Sequence, residues 1–240
     1  MVSIRSHLAA NRSARPLKPK GLGGILLLVW TLRAVQGAEP NVLLDRCIAA
    51  QTNLHTWSAD LTQTRTLQVM EQPLVATGRV WMVLPDRFRW ELGRPPQSIA
   101  VRQPNELSLI YPRLKRVEKF AIDPNQAGPW KEIMSMLDAT FPRSREELAS
   151  HFNVQLLTQT NDLIHLVLQP KSSFARKLMT EIQIDFSTTN FCPISTELKF
   201  SDGSSMRNDF FHSVVNAPLP EGIFDLKLEP GFTVVYPLRQ

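Results

Sequence analysis

Residues Gly78 to Glu91, G-R-V-W-M-V-L-P-D-R-F-R-W-E, restrict what this chain can fold into more than any other stretch. Two strands meet there at Leu84-Pro85-Asp86. Val80, Met82 and Leu84 fall on one face of the first strand, and Phe88 and Trp90 share a face of the second. Alternation with a period of two means a sheet with one committed apolar side. The Pro-Asp pair supplies a turn with a fixed φ, which pins the register and keeps the apolar faces in line. Two strands cannot bury such a surface alone. The rest of the chain must cover it or leave it as a groove.

The remaining sequence supplies more sheet. Asn41 to Leu54 spaces Leu44, Cys47, Ile48, Gln51 and Leu54 close to helical periodicity, with Asn41 as candidate N-cap. Trp57 to Val69 then alternates through Ala59, Leu61, Gln63, Arg65, Leu67 and Val69. Ser98–Gln103 and Leu107–Tyr111 read as a hairpin about Pro104-Asn105, and Arg116–Ile122 as another strand. Near the middle the pattern changes. Trp130, Ile133, Met134 and Leu137 form an apolar stripe at helical spacing, with Pro129 in the first turn and Pro142 as terminator. Ser144 and Glu147 make a capping box for a second short helix reaching about Phe152. Strand patterns resume at Asn153–Gln159, Leu163–Gln169, Met179–Phe186, Ile194–Phe200 and Ser205–Val215. Thr160-Asn161-Asp162 and Ser201-Asp202-Gly203 are hairpin turns, and short strands are expected near Ile223–Leu228 and Thr233–Tyr236.

No linker, repeat or low-complexity run divides residues 38–240, so one α+β domain is expected. It consists of a large antiparallel sheet with an N-terminal helix and a helical insert. A sheet of this size tends to curl, and an insert with one apolar face belongs across the mouth of the curl.

The basic balance of the whole chain, a formal +5, is misleading. Residues 1–37 hold six of the 27 lysines and arginines and no acid, which leaves 21 basic against 22 acidic residues in the remainder. A nucleic-acid reading would rest on the leader alone. That leader has a basic start, an apolar run from Leu22 to Leu32 and small residues around Gly37-Ala38. The run is far short of the roughly 20 residues a bilayer span needs. A signal peptide over residues 1–37 is the expectation, cleaved after Gly37, with an uncleaved interfacial segment as the alternative. Cys47 follows Asp45-Arg46 and lacks the small preceding residue that lipid attachment needs. A soluble mature protein follows.

Chemistry-bearing motifs are scarce. There is no glycine-rich phosphate loop, nucleophile elbow or zinc helix motif, and the five histidines have no ligand-spaced partners. No catalytic residue, metal or cofactor is expected. Cys47 and Cys192 could pair in an oxidising compartment, or remain two buried thiols. What remains is apolar surface. Met82, Leu84, Phe88, Trp90, Val101 and Leu109 are candidate walls of an acyl-chain site, and Ile133, Met134, Leu137 and Phe141 are candidate lid residues. For any one of them plain core packing is the simpler reading. Together they describe a groove, because methionine-bearing helices adapt to varied apolar ligands.

The pattern G-x-x-W-x-x-x-P-x-x-F-R-W-E resembles the signature of the LolA family of periplasmic lipoprotein carriers. Tyr111-Pro112 with Leu114 and Val117, Asp202-Gly203, Asn216 with Leu219, and Phe224 leading to Pro230-Gly231 follow in order. The resemblance runs from about Pro40 onward. It implies an incomplete β-barrel closed by a helical lid, which shields lipoprotein acyl chains in the periplasm. It further implies a monomer, loaded by an inner-membrane ATP-driven releasing transporter and unloaded to an outer-membrane acceptor. The family's basic residue before the signature proline, which latches the lid, is Leu84 here. Arg87 and Arg89 lie near, but alternation points both away from the groove. A related binder of another amphiphile, or a sensor of lipoproteins, and a secreted lipid hydrolase are the competing readings.

Overall fold

The computed structural model describes residues 40–122 and 139–237. A helix, α1 (Pro40–Thr52), feeds six strands: β1 (Thr56–Thr66), β2 (Leu74–Val83), β3 (Arg87–Leu92), β4 (Ser98–Gln103), β5 (Glu106–Tyr111) and β6 (Arg116–Ala121). After residues 123–138 come α2 (Arg145–His151), β7 (Phe152–Gln159), β8 (Leu163–Pro170), α3 (Ser173–Leu178), β9 (Met179–Ser187), β10 (Pro193–Phe200), β11 (Ser205–Val215) and β12 (Thr233–Val235). All twelve strands among the described residues form one sheet in the order β12-β6-β5-β4-β3-β2-β1-β11-β10-β9-β8-β7. The sheet is not closed into a barrel: β12 and β7 stand at its two edges.

The expected register at the centre is present. Val80 pairs with Trp90 and Met82 with Phe88, so the apolar residues of both strands share one face. β1 continues that face, with Trp57 opposite Met82 and Ala59 opposite Val80. Several differences from the sequence reading have physical causes. β12 runs parallel to β6, which makes the sheet mixed. Residues 223–228 form no strand; they lie over the sheet, where Ile223, Phe224, Leu226 and Leu228 bury apolar surface instead of pairing backbone. The short α3 was invisible to periodicity at six residues, although Ser172 caps it by accepting a hydrogen bond from the Ala175 N–H at 3.3 Å. α1 starts at Pro40, so Asn41 lies inside its first turn rather than at its cap.

The cap at α2 works as read, with one change. Ser144 Oγ accepts from the Glu147 N–H at 2.9 Å, but Glu147 reaches back to the Arg143 N–H at 3.3 Å. An ion pair from Arg145 to Asp45 at 2.6 Å ties α2 to α1.

Three apolar clusters hold the layers. Leu43, Leu44, Cys47 and Ile48 of α1 pack on Ile164, Leu166, Leu168, Ile182, Ile184 and Phe186 of β8 and β9, covering that half of one sheet face. Trp57, Leu61, Val80, Phe141 and Phe210 form the second cluster, on the same face beside the first. The third lies on the opposite face, where Leu219 to Phe232 cover Val101, Ile110 and Val117. Each fully buried Leu, Ile or Phe contributes roughly 1.5–3 kcal/mol. No helix among the described residues is long and apolar enough to cross a membrane.

Cys47 and Cys192 are both free and buried. Burial pushes the Cys47 thiol up to about 11, against a smaller opposing pull from Arg46, and raises Cys192 as well. The thiolate is the reactive form. Both thiols should therefore resist iodoacetamide in the native protein at mildly alkaline pH and react on unfolding, as read by intact mass. Rapid alkylation of the folded chain would contradict the packing around α1.

Candidate functional site

The face shared by Val80, Met82, Phe88 and Trp90 encloses a cavity of about 190 Å³. Its walls come from Trp57 and Gln63 on β1, Met82 on β2, Phe88 and Trp90 on β3, and Ala100 on β4. Thr196 and Leu198 on β10, with Met206, Asn208 and Phe210 on β11, complete the sheet side; Thr140 and Phe141 cover it. β4 and β10 are five strand steps apart, which would separate them by about 24 Å in a flat sheet. Their convergence on one cavity shows that the sheet curls and that this face is the concave one.

Aromatic packing shapes the floor. The Trp57 ring lies 5.1 Å from Phe210, edge-on at 81°, and 5.4 Å from Phe141. Trp90 meets Phe210 at 5.9 Å and 77°. These offset geometries suit the ring quadrupoles. Three polar side chains of the wall bond one another: Gln63 Nε2 donates to Asn208 Oδ1 at 2.9 Å, and Asn208 Nδ2 donates to Thr196 Oγ1 at 3.1 Å. They can face an apolar ligand without leaving those bonds unmade.

Met82, Phe88, Trp90 and Phe141, read from the sequence, meet at this cavity. Leu84 packs against the same aromatic cluster and borders a second recess, of about 200 Å³, which also touches Met82 and Phe141. Leu109 pairs with Ala100 and so shares the concave face, outside the cavity wall. Ile133, Met134 and Leu137 lie outside the described residues. The position of Val101 differs from the sequence reading. Ala100 and Arg102, opposite Trp90 and Phe88, take the concave face of β4, and Val101 points the other way, 1% exposed beneath Phe224.

Trp57, Leu198, Met206 and Phe210 line the cavity without having been picked out by pattern. The alternation of β1, β10 and β11 carried them, but nothing local told which face of β10 or β11 turns inward. Arg87 and Arg89 do point away: Arg87 stacks on Phe224 at 4.6 Å, and Arg89 binds Glu91 at 2.5 Å and the Ile223 carbonyl at 3.2 Å. A guanidinium nevertheless stands at the recess with Leu84 and Pro85. It is Arg102 from β4, 8% exposed, which shares that recess with Asp86, Arg143 and Glu147.

One polar row invites a catalytic reading and does not support it. Asp185 accepts from Ser195 Oγ at 2.6 Å and faces His165 Nδ1 at 2.6 Å. Activating a serine requires the imidazole between serine and carboxylate; here the carboxylate is in the middle. Among the described residues no three His, Cys, Asp or Glu side chains form a metal-sized cluster.

Comparison with solved structures gives distant similarity throughout. An uncharacterized conserved protein from Thermus thermophilus aligns with a TM-score of 0.48 at 10% identity, over 82% of this chain and 98% of the other. A LolA superfamily protein from Nitrosomonas europaea gives 0.41 at 8%, over 78% and 97%. The Pseudomonas aeruginosa MucA/MucB complex gives 0.43 at 14%, over 79% and 61%. No curated protein matches the sequence. The sequence itself matches the family model described as "Outer membrane lipoprotein carrier protein LolA" across residues 52–227. That match runs from the end of α1 to the segment beneath which Val101 is buried, well over half of the 240 residues, and the chain therefore belongs to the LolA family.

Proposed function

We propose that this protein is a periplasmic carrier that holds the acyl chains of lipoproteins in the concave cavity and moves them from the inner to the outer membrane. The observation that carries this reading is a cavity walled by Trp57, Met82, Phe88, Trp90, Phe141 and Phe210, in which Gln63, Asn208 and Thr196 are hydrogen-bonded to one another. Such a wall binds by area: each buried CH₂ contributes ~0.8 kcal/mol, with no charged anchor needed. The volume bounded by these side chains, about 190 Å³, lies below the ~300–1,000 Å³ of ordinary ligand pockets. Loading therefore requires Phe141 and its flanking chain to shift, and release is the reverse. Residues 1–37 would direct export and be removed. Donor and acceptor would be a lipoprotein-releasing transporter of the inner membrane and a lipoprotein receptor of the outer one, the cargo moving down successive differences in affinity.

Leu84 supports a second reading, a binder of another amphiphile. It places an apolar side chain where the resemblance expects a cation, and the nearby charge, Arg102, arrives from a different strand.

The test is a mass-spectrometric inventory of what co-purifies with the wild type and with Phe88→Glu, which introduces a carboxylate at the cavity wall. Triacylated lipoproteins on the wild type, reduced at least about tenfold on the variant, are expected: a carboxylate in the wall, even one paired with Arg102 opposite it on β4, removes apolar contact and must lose its hydration to an acyl chain. Free lipid or another amphiphile in the same position would transfer the assignment to the second reading. Nothing apolar on either protein, together with turnover of acyl esters, would replace both with a hydrolase.

A further inference from the structure

The antiparallel order places the turns of the sheet on two opposite rims. One rim gathers residues 67–73, 93–97, 112–115, 171–178 and 201–204; the other gathers 84–86, 104–105, 160–162 and 188–192. The two differ in kind. The five turns of the first carry six basic residues, Arg94, Arg113, Lys115, Lys171, Arg176 and Lys177, against two acids, Glu71 and Asp202, and the chain entering β12 beside Lys115 adds Glu229. The four turns of the second carry Asp86 and Asp162 and themselves no lysine or arginine, although Arg102 and Arg143 share the recess beside Asp86.

The turns differ likewise in exposed apolar side chains, although Ile194, Val214 and Val215 are exposed at strand ends near the second rim. Val69 is 92% exposed and Leu114 72%, and Met70, Phe174 and Leu178 also face solvent on the basic rim. The four turns of the acidic rim expose no large apolar side chain. Neighbouring tips on the basic rim are physically joined. The Ser201 N–H donates to the Leu178 carbonyl at 3.1 Å, and Gln68 packs so closely over Gly203 that a Cβ there would lie 1.9 Å from its Nε2. The turn bearing Val69 and the helix bearing Phe174 thus flank one shared edge. Asp202 spends its carboxylate inside its own turn, accepting from the Ser204 N–H at 2.9 Å.

Single apolar side chains protruding from separate turns among cations do not make the flat, contiguous patch of a protein interface. They match what an anionic bilayer surface takes up: apolar groups at the headgroup boundary, with lysine and arginine over the phosphates. We propose that this rim docks the protein on an anionic membrane surface, with Val69, Leu114 and Phe174 entering the headgroup layer and Arg94, Arg113, Lys115 and Lys177 above it. The inference goes beyond the carrier reading and is independent of what fills the cavity.

Vesicle flotation tests it, using protein isolated from the soluble extract and vesicles of phosphatidylcholine, either alone or mixed in equal parts with phosphatidylglycerol. The protein should float with the mixed vesicles, not with phosphatidylcholine alone, and release as salt rises. Val69→Asp, and separately Arg113→Gln with Lys177→Gln, should each weaken binding on the order of tenfold. Thr189→Glu with Asn161→Asp makes the same charge change on the opposite rim and should stay within about twofold of wild type. All these side chains are exposed, so folding is not at issue. Failure to float with the mixed vesicles, equal flotation with phosphatidylcholine, or equal losses from both rims would overturn the proposal. The cargo inventory with Phe88→Glu reads a different face and would stand or fall separately.

Discussion

Gly78→Ala should unfold this protein or destabilise it by about 3 kcal/mol or more, a cost set by backbone rather than by side-chain packing. Gly78 sits in β2 between Leu61 of β1 and Leu92 of β3. An added Cβ would lie 1.9 Å from the Glu91 carbonyl oxygen and 3.0 Å from its carbon. A rotamer change cannot relieve that contact, because the obstacle is the neighbouring strand itself. β2 and β3 would have to part where Val80 pairs with Trp90, two residues on, so the damage reaches the cavity wall. Urea unfolding of the variant gives the answer. A midpoint equivalent to less than about 0.5 kcal/mol of loss would mean that the strands separate freely there, and the close approach would have no structural weight.

That glycine opens the stretch from which the fold could be read, and the reason it was legible is local. In Gly78–Glu91 the alternation, the tight turn and the apolar faces are all set by neighbours in sequence. The strands from Ser98 to Ala121 and from Leu163 to Phe200 followed for the same reason, with bounds that shift by only a residue or so. Pairings made over long sequence separations were not available in this way. β1 pairs with β11 although the whole of β2 to β10 lies between them in the chain, so the inward position of Met206 and Phe210 depends on a register that neither strand encodes alone. β12 found a parallel partner in β6 because the chain first crosses the convex face.

Val101 shows why the site was harder to read than the fold. In S-I-A-V-R-Q the apolar alternation, Ile99 and Val101, is correct, but both residues serve the convex face. Sequence patterning reports that a face is buried and not what buries it. Here both faces are covered, the concave one by Phe141 and its neighbours over the cavity, the convex one by Leu219 to Phe232. The residues that line the cavity from β4 are therefore the small Ala100 and, at its recess, the charged Arg102, neither of which an apolar pattern selects.

Trp57→Ala is expected to cost about 3–5 kcal/mol, the range for removing a buried aromatic side chain whose site cannot collapse. Trp57 is 1% exposed and braced by Phe210 and Phe141, with β1 held on both sides by β2 and β11. Rings fixed in a floor of this kind cannot close over the void, so the cavity should widen. Trp57→Phe separates the ring from its polar atom. Among the described residues the indole Nε1 is buried without a hydrogen-bond partner, a state that costs about 1–3 kcal/mol. Replacing it with phenylalanine removes that cost along with part of the packing, and the net change should stay within about 1.5 kcal/mol, as for other swaps that nearly conserve volume. Chemical denaturation of the two variants, beside uptake of a fluorescent fatty acid, distinguishes floor from filler. If alanine costs less than about 1 kcal/mol, the aromatic cluster is not the core that holds the concave face. If alanine is costly and the widened cavity takes up more probe, Trp57 limits cargo size as well as holding the sheet, and the same ring sets both stability and capacity.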